Sequence, residues 1–413
     1  MEGRINRYKP IATLTRRELL VAALVPVAAI ARARAQSAST PLDQAVLPRG
    51  VTARFVDNVN GIRMHVLECG DAARPTLLLV HGFPELAFSW RKVMPALAAA
   101  GYHVVAPDLR GYGRSGGTDV KFDDDLSPWR TLNEVTDMLA LLSRLGIRSV
   151  AAVVGHDFGS PVAAWCAVTR PDVFRSVVLM SAPFAGTPAF AAASGGPDTI
   201  YDDLAKLNPP RKHYQRYYST REANENLWHP PQGLMAFLRA YYHMKSADWK
   251  QNDPHPLAAR TAAEWAGLPR YYVMDLDKGM AQTVASEMPP MSVIVANKWL
   301  TDEELGVYVT EYGRTGFQGG LQSYRVGSSG RFNNDLLLFA GRTIDQPSMF
   351  IAGRADWGAY QNPGALERMQ KSACTHMAGV HFVDGAGHWV QQEQPDRVSA
   401  LIVEFLQKSA PRS

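Results

Sequence analysis

VVGHDFGSPVAAWCAV, residues 153–168, changes its period in the middle. The apolar run that opens at Ser149 reads as a buried strand, and the small and apolar residues after Gly159 repeat at helical spacing. Between them, Gly155-His156-Asp157-Phe158-Gly159 has the G-x-nucleophile-x-G form of a strand-to-helix elbow, with Asp157 where serine usually stands. Glycines allow strand and helix to approach closely at such a turn, which pushes the central side chain out into a cleft. The helix N-terminus behind it favours an anion. An ordinary strand–helix turn with Asp157 as a simple helix cap would use the same residues, so the rest of the chain has to decide between the two.

Outward from the elbow the pattern is an alternation. Short apolar runs at 76–82 (TLLLVHG), 103–108 (HVVAPD), 149–155 (SVAAVVG) and 176–182 (SVVLMSA) read as buried strands, with helix-period stretches near 89–99, 131–145 and 158–170. Such alternation implies a parallel sheet covered on both faces. Ahead of it, VTARFVD and IRMHVLE flank Asn60-Gly61, a strong hairpin signal. After Pro183 the alternation stops for about 160 residues rich in Tyr, Trp, His, Pro and Arg. It resumes with SMFIAG (348–353), a helix near 364–375, GVHFVDG (379–385) and a helix near 395–408. The expected organisation is an α/β core over 51–184 and 345–413, interrupted by a mainly helical cap over 185–344.

Composition narrows the function classes. A chain of 413 residues, 46% apolar and 20% charged, is neither disordered nor a polytopic membrane protein. Three cysteines build no disulfide scaffold and no zinc cluster. The formal charge of +4 resides in the first 35 residues, with seven basic and two acidic side chains; the remainder holds 36 basic against 37 acidic residues, no electrostatic footprint for nucleic acid. Within that leader, Arg16-Arg17 precede a 12-residue apolar run (Leu19–Ile30) broken by Pro26, and Ala33-Arg34-Ala35 has an A-x-A cleavage form. The run spans only about half of a bilayer core, too short for a stable anchor. It resembles a twin-arginine export signal over 1–35, which would place the mature protein in the periplasm or outside the cell; an uncleaved N-terminal anchor is the alternative. Residues 36–50 read as a polar linker belonging to no core, and the sequence carries no signal for an oligomeric state.

Three further pieces support the elbow as a catalytic turn. His81-Gly82-Phe83-Pro84 follows the strand at 76–80, where the Phe83 backbone N–H, with that of Phe158, is placed to hold an oxyanion; such donors contribute about 3–4 kcal/mol each. Taken alone, HGFP is equally readable as an ordinary apolar loop. His388 sits in a glycine-rich loop between the last strand and the last helix. Asp356, at the end of the preceding strand, is placed to orient its imidazole, with Asp384 as a rival that more readily orders the loop. The chain order Asp157…Asp356…His388 is nucleophile, acid, histidine.

HGFPE (81–85), DLRGYGRS (108–115), GHDFGS (155–160) and GAGHW (385–389), in this order and spacing, resemble the epoxide hydrolases of the α/β-hydrolase superfamily. HYQRYY (213–218) and GFQGGLQSYR (316–325) are similar to that family's two cap-tyrosine segments, pointing to Tyr214 and Tyr324. The resemblance implies a mostly parallel eight-stranded sheet, a helical cap, and hydrolysis of a small hydrophobic epoxide to a vicinal diol by water, with no cofactor and no metal. In that scheme Asp157 forms an alkyl ester while Tyr214 and Tyr324 hold the ring oxygen, and His388 with Asp356 activates water to cleave the ester. Trp90, Trp357 and Trp389 are expected in an apolar substrate pocket, the alternative being that they pack core against cap. A dehalogenase of the same fold would hold halide with an indole or amide after the nucleophile and after His-Gly, but Phe158 and Phe83 stand there. A non-catalytic ligand-binding relative would have lost part of the triad, and all three members are present.

Overall fold

Why the elbow points where it does follows from the sheet around it. The computed structural model describes residues 40–190 and 199–409. The proposed leader over 1–35 lies outside the described residues.

The strands of the first half are β1 (Val51–Val59), β2 (Ile62–Cys69), β3 (Thr76–Val80), β4 (His103–Pro107), β5 (Ala152–His156) and β6 (Val177–Met180). Helices α1 (Thr131–Arg144) and α2 (Gly159–Thr169) stand between β4 and β6. The cap segment brings β7 (Arg211–His213), α3 (Tyr214–Tyr218), α4 (Leu234–Lys245), β8 (Val273–Asp275), α5 (Asp302–Thr315) and α6 (Gln318–Ser329). β9 (Ser348–Gly353), β10 (Met377–Val383) and α7 (Pro395–Ser409) complete the chain. The main sheet runs β1-β2-β4-β3-β5-β6-β9-β10, antiparallel at β1/β2/β4 and parallel from β4 onward.

Every residue of β3, β4, β5, β6 and β9 is buried, as continuous apolar runs covered on both faces require. Register pairs Val80 with Gly155, His156 with Met180, and Val383 with Gly353. The carboxyl ends of β3, β5, β6, β9 and β10 therefore lie side by side along one sheet edge, where open α/β sheets place their ligands.

Backbone contact at the elbow sets its shape. A Cβ on Gly159 would stand 2.2 Å from the Val80 carbonyl oxygen, and one on Gly155 would stand 2.0 Å from that of Gly159. Strand and helix are packed backbone to backbone, and the chain turns between them through Asp157 at φ +51°, a left-handed conformation rare outside glycine.

The cap docks through a similar contact. A Cβ on Gly319 at the start of α6 would meet the Gly111 carbonyl oxygen at 2.1 Å, so α6 lies directly on the DLRGYG loop. α5 opens with a capping box between Thr301 and Glu304. The two-stranded β7/β8 ribbon was not legible in the cap sequence: three residues a side, RKH and VMD, are too short to show a period.

The linker expectation needs correction. From Leu42 the chain packs onto the body: the Leu42 N–H donates to His65 Nε2 at 3.2 Å, Gln44 donates to the Val51 carbonyl at 2.7 Å, and Leu47 is buried in the hydrophobic core. The polar composition of 36–50 masked two leucines that cover β1 and β2. The thiols of Cys69, Cys166 and Cys374 are all free and buried. Among the described residues no helix is long and apolar enough to cross a membrane.

Gly159→Ala is expected to cost about 3 kcal/mol or more, because the clash is with backbone and no rotamer relieves it. Urea unfolding measures this, and an unchanged midpoint would contradict the close packing.

Candidate active site

The sheet edge assembles the predicted residues without long-range distortion. The Asp157 carboxylate accepts the Phe83 backbone N–H on Oδ1 at 2.9 Å, a contact that follows from β3 and β5 being neighbours. His388 Nε2 lies 3.3 Å from Asp157 Oδ2, off the line for a hydrogen bond, so the pair is a charge contact with the imidazole nitrogen left unpaired. On the other side of the ring, Nδ1 lies 3.1 Å from Asp356 Oδ1. Asp356 is buried and also accepts the Gly358 N–H at 2.7 Å. Phe158 opens α2 and its ring lines the cavity beside Asp157. Asp384, the rival acid, is exposed and paired with Arg354.

Three supports were invisible in the sequence. The Ser181 hydroxyl, at the end of β6, sits 2.9 Å from His388 Nδ1 beside Asp356. The His388 backbone N–H donates to the Lys245 carbonyl at the end of α4 at 2.7 Å, so the cap holds the His388 loop directly. The His388 carbonyl in turn accepts from His156 Nε2 at 2.7 Å, and His156 Nδ1 pairs with the fully buried Glu85 at 2.7 Å. Gln391 and Gln392 donate to the same carboxylate. His156 and Glu85 stand inside the quoted motifs, but nothing local in them tells which partner each will find.

Above Asp157 is a cavity of about 290 Å³ lined by Phe158, Tyr214, Gln215, Tyr324 and Gln361 among others. Tyr214 and Tyr324 both face it, with ring centroids 6.0 Å apart. The β7/β8 ribbon delivers Tyr214, whose own N–H donates to the Tyr272 carbonyl at 2.8 Å. Its hydroxyl lies 3.5 Å from Gln361 Oε1 and accepts from Gln215 at 3.3 Å.

The three tryptophans are a correction. Trp90, Trp357 and Trp389 are buried, and none lines the cavity over Asp157. The Trp389 indole donates to the Tyr242 carbonyl at 2.8 Å and packs on that ring, tying α4 to the His388 loop. Trp357 packs against His255 and borders a different cavity beside Arg211 and Trp249. Trp357 and Trp389 thus pack core against cap, while tyrosines take the wall facing the carboxylate.

Charge in the site is arranged by these contacts. Burial pushes Asp157 up, but His388, helped by the Lys245 ammonium, holds it well below the usual carboxylate range. Burial and the Lys245 ammonium pull His388 down; the Asp356 and Asp157 carboxylates outweigh them and raise it. Burial, then the Asp157 charge for Tyr214 and the neighbouring Tyr214 and Asp157 for Tyr324, push both phenols well above their ordinary value, so both keep their protons. The raised His388 stabilises the fold fully below about pH 6.5, and that contribution is lost as pH rises through its folded value. The lowered Asp157 and Asp356 act in the opposite window, stabilising above about pH 4 and losing effect as pH falls. Among the described residues no cluster of three His, Cys, Asp or Glu could hold a metal ion.

Residues 75–205 match the family model described as the alpha/beta hydrolase fold. Epoxide hydrolase A of Mycobacterium tuberculosis is 33% identical over 367 residues, spanning 86% of this chain and 97% of that protein. The chain belongs to the epoxide hydrolase family of α/β hydrolases. The epoxide hydrolase of Caballeronia sordidicola is 30% identical, over 84% of this chain and 91% of its own. Among solved structures, an epoxide hydrolase from an endophytic Streptomyces superposes with a TM-score of 0.69 at 33% identity, covering 87% of this chain and 96% of that one. Potato epoxide hydrolase I superposes with a TM-score of 0.66 at 30% identity, over 87% and 99%. Most of the enzyme, cap included, is thus shared with these relatives.

Because the Asp157 charge helps to raise His388, Asp157→Asn should lower the pH at which the His388 imidazole titrates. NMR of the ring protons reads this directly; an unchanged or higher titration point would remove the coupling.

Proposed function

We propose that the enzyme hydrolyses a small hydrophobic epoxide to a vicinal diol through an alkyl ester on Asp157. The observation that carries this reading is a buried, ionised carboxylate facing two protonated phenols across one cavity. A carboxylate needs no base to attack an sp³ carbon. A phenol keeps its proton at neutral pH yet can give it to a strained alkoxide as the ring opens. In this scheme an Asp157 oxygen attacks an epoxide carbon in line, the C–O bond to the ring oxygen breaks, and Tyr214 or Tyr324 protonates that oxygen.

Ester formation erases the negative charge on Asp157. His388 then loses one of the two carboxylates that raise it and gives up its proton more readily; that proton restores the tyrosine that protonated the ring oxygen and leaves the neutral imidazole a base requires. Held by Asp356, it takes a proton from water, which attacks the ester carbonyl. The Phe83 N–H, already on the carboxylate in the resting site, and the Phe158 N–H are assigned to the tetrahedral oxyanion. Collapse breaks the ester C–O bond, the imidazolium protonates the departing alkoxide, and the regenerated carboxyl passes its proton back to His388, restoring the Asp157 carboxylate as the diol leaves. The cavity wall over Asp157 carries no indole to grip a halide, which favours an epoxide over a haloalkane.

His388→Gln should form the ester and fail to release it. Mass spectrometry of that variant after exposure to an epoxide should show Asp157 carrying the full mass of the substrate, and an unmodified protein would sink the scheme. Adding Tyr214→Phe and Tyr324→Phe should slow that labelling by about 100-fold or more.

We also propose that residues 1–35 direct export by the twin-arginine route. Support comes from Arg16-Arg17, the short apolar run and Ala33-Arg34-Ala35. Replacing both arginines by lysine should keep the enzyme in the cytoplasmic fraction, and exported wild-type protein should begin at Gln36. Export unaffected by the change would overturn the assignment.

A further inference from the structure

The mechanism leaves a side chamber of the catalytic cavity unused. This second cavity, about 240 Å³, shares Phe158, Pro161, Ser323 and Gly327 with the first and extends between α1, α2 and α6. Most of its wall is apolar, with Val162, Trp165, Val326 and Leu336 contributing, and no lysine or arginine lines it.

Its polar lining is Trp129, Thr131, Glu134, Ser323 and Asn333, and the decisive pair among these is Trp129 and Glu134. Trp129 ends the short turn ahead of α1 and is only 6% exposed, yet its indole N–H has no hydrogen-bond partner among the described residues. Glu134, in the first turn of α1, accepts the Ser323 hydroxyl on Oε1 at 3.0 Å and lines the chamber, with Oε2 free of that bond. Burial pushes this carboxyl up to about 8, so near neutral pH it is mainly the uncharged acid, and its proton belongs on the free oxygen. An indole N–H can only donate. The chamber thus offers two donors in an apolar setting, next to the residue that precedes Tyr324. A desolvated donor left unpaired is unfavourable, and neither the fold nor the triad uses either one.

We infer that this chamber is the subsite for the non-reacting substituent of the substrate, and that it selects an apolar chain or ring bearing one neutral acceptor oxygen, an ether or a carbonyl, received by Trp129 and Glu134. The inference rests on the reading of the Asp157 cavity as an epoxide site. An anionic tail is disfavoured because no cation faces the chamber. A hydrogen bond made at a distance from the reacting carbons contributes binding energy that fixes the epoxide over Asp157.

The test is a matched series: 1,2-epoxydecane, and its analogues in which one ether oxygen replaces each chain methylene in turn. For the wild type, the ratio of kcat/KM between ether and all-carbon substrate should peak at one position of the oxygen. Trp129→Phe, which removes only the N–H, should lower that peak ratio about three- to tenfold, the effect of a single neutral hydrogen bond. Glu134→Leu should lower it similarly, and Glu134→Gln, which keeps a donor, should restore it. Taking the ratio cancels any general loss from loosening the Glu134–Ser323 link. A peak ratio unchanged by Trp129→Phe overturns the subsite while leaving the epoxide reading intact. No turnover of any member, 1,2-epoxydecane included, would instead overturn the catalytic reading beneath it.

Discussion

A carboxylate taken out of water remains an anion only if its surroundings replace the lost hydration. At Asp157 that replacement is one backbone N–H from Phe83 and the imidazole of His388. Each comes from a different strand end, β3 and β10, and the sheet order puts both on the same carboxyl edge as the end of β5 that leads into Asp157. The left-handed turn at Asp157, enforced by glycines too tightly packed to carry a side chain, then directs the carboxylate between them. Strand order, elbow geometry and nucleophile chemistry are therefore parts of one constraint.

The cap belongs to the same constraint. α4 ends with its Lys245 carbonyl on the His388 N–H, and Tyr242 takes the neighbouring indole of Trp389. α6 rests on Gly111 and carries Tyr324 over the carboxylate. β7 leads straight into Tyr214. The inserted segment thus supplies the phenols over Asp157 and also fixes the backbone of His388, so displacement of the cap would disturb both sides of the carboxylate together.

The elbow, the triad residues and the succession of core strands along the chain were legible because each is local. Asp157, Asp356 and His388 each follow a short apolar run, and a run of that kind identifies a buried strand without knowledge of its neighbours. Tyr214 and Tyr324 needed the family resemblance, since fifteen tyrosines give no periodic clue to which two face the nucleophile. Ser181, Lys245 and Glu85 were not legible: each acts through a backbone or side-chain partner more than 70 residues away. Trp90, Trp357 and Trp389 misled for a related reason. Sequence places an indole close to the triad, but which side of a wall it occupies is decided by packing between core and cap.

The three sealed thiols have a consequence of their own. Burial raises all of them, Cys374 to about 11, so little reactive thiolate exists at neutral pH. None is cross-linked. The native state consequently requires no oxidant to form and offers no exposed thiol to one afterwards. Its thiols are insensitive to redox potential, staying reduced alike in a glutathione-rich medium and in an aerated one, with no disulfide to form or break.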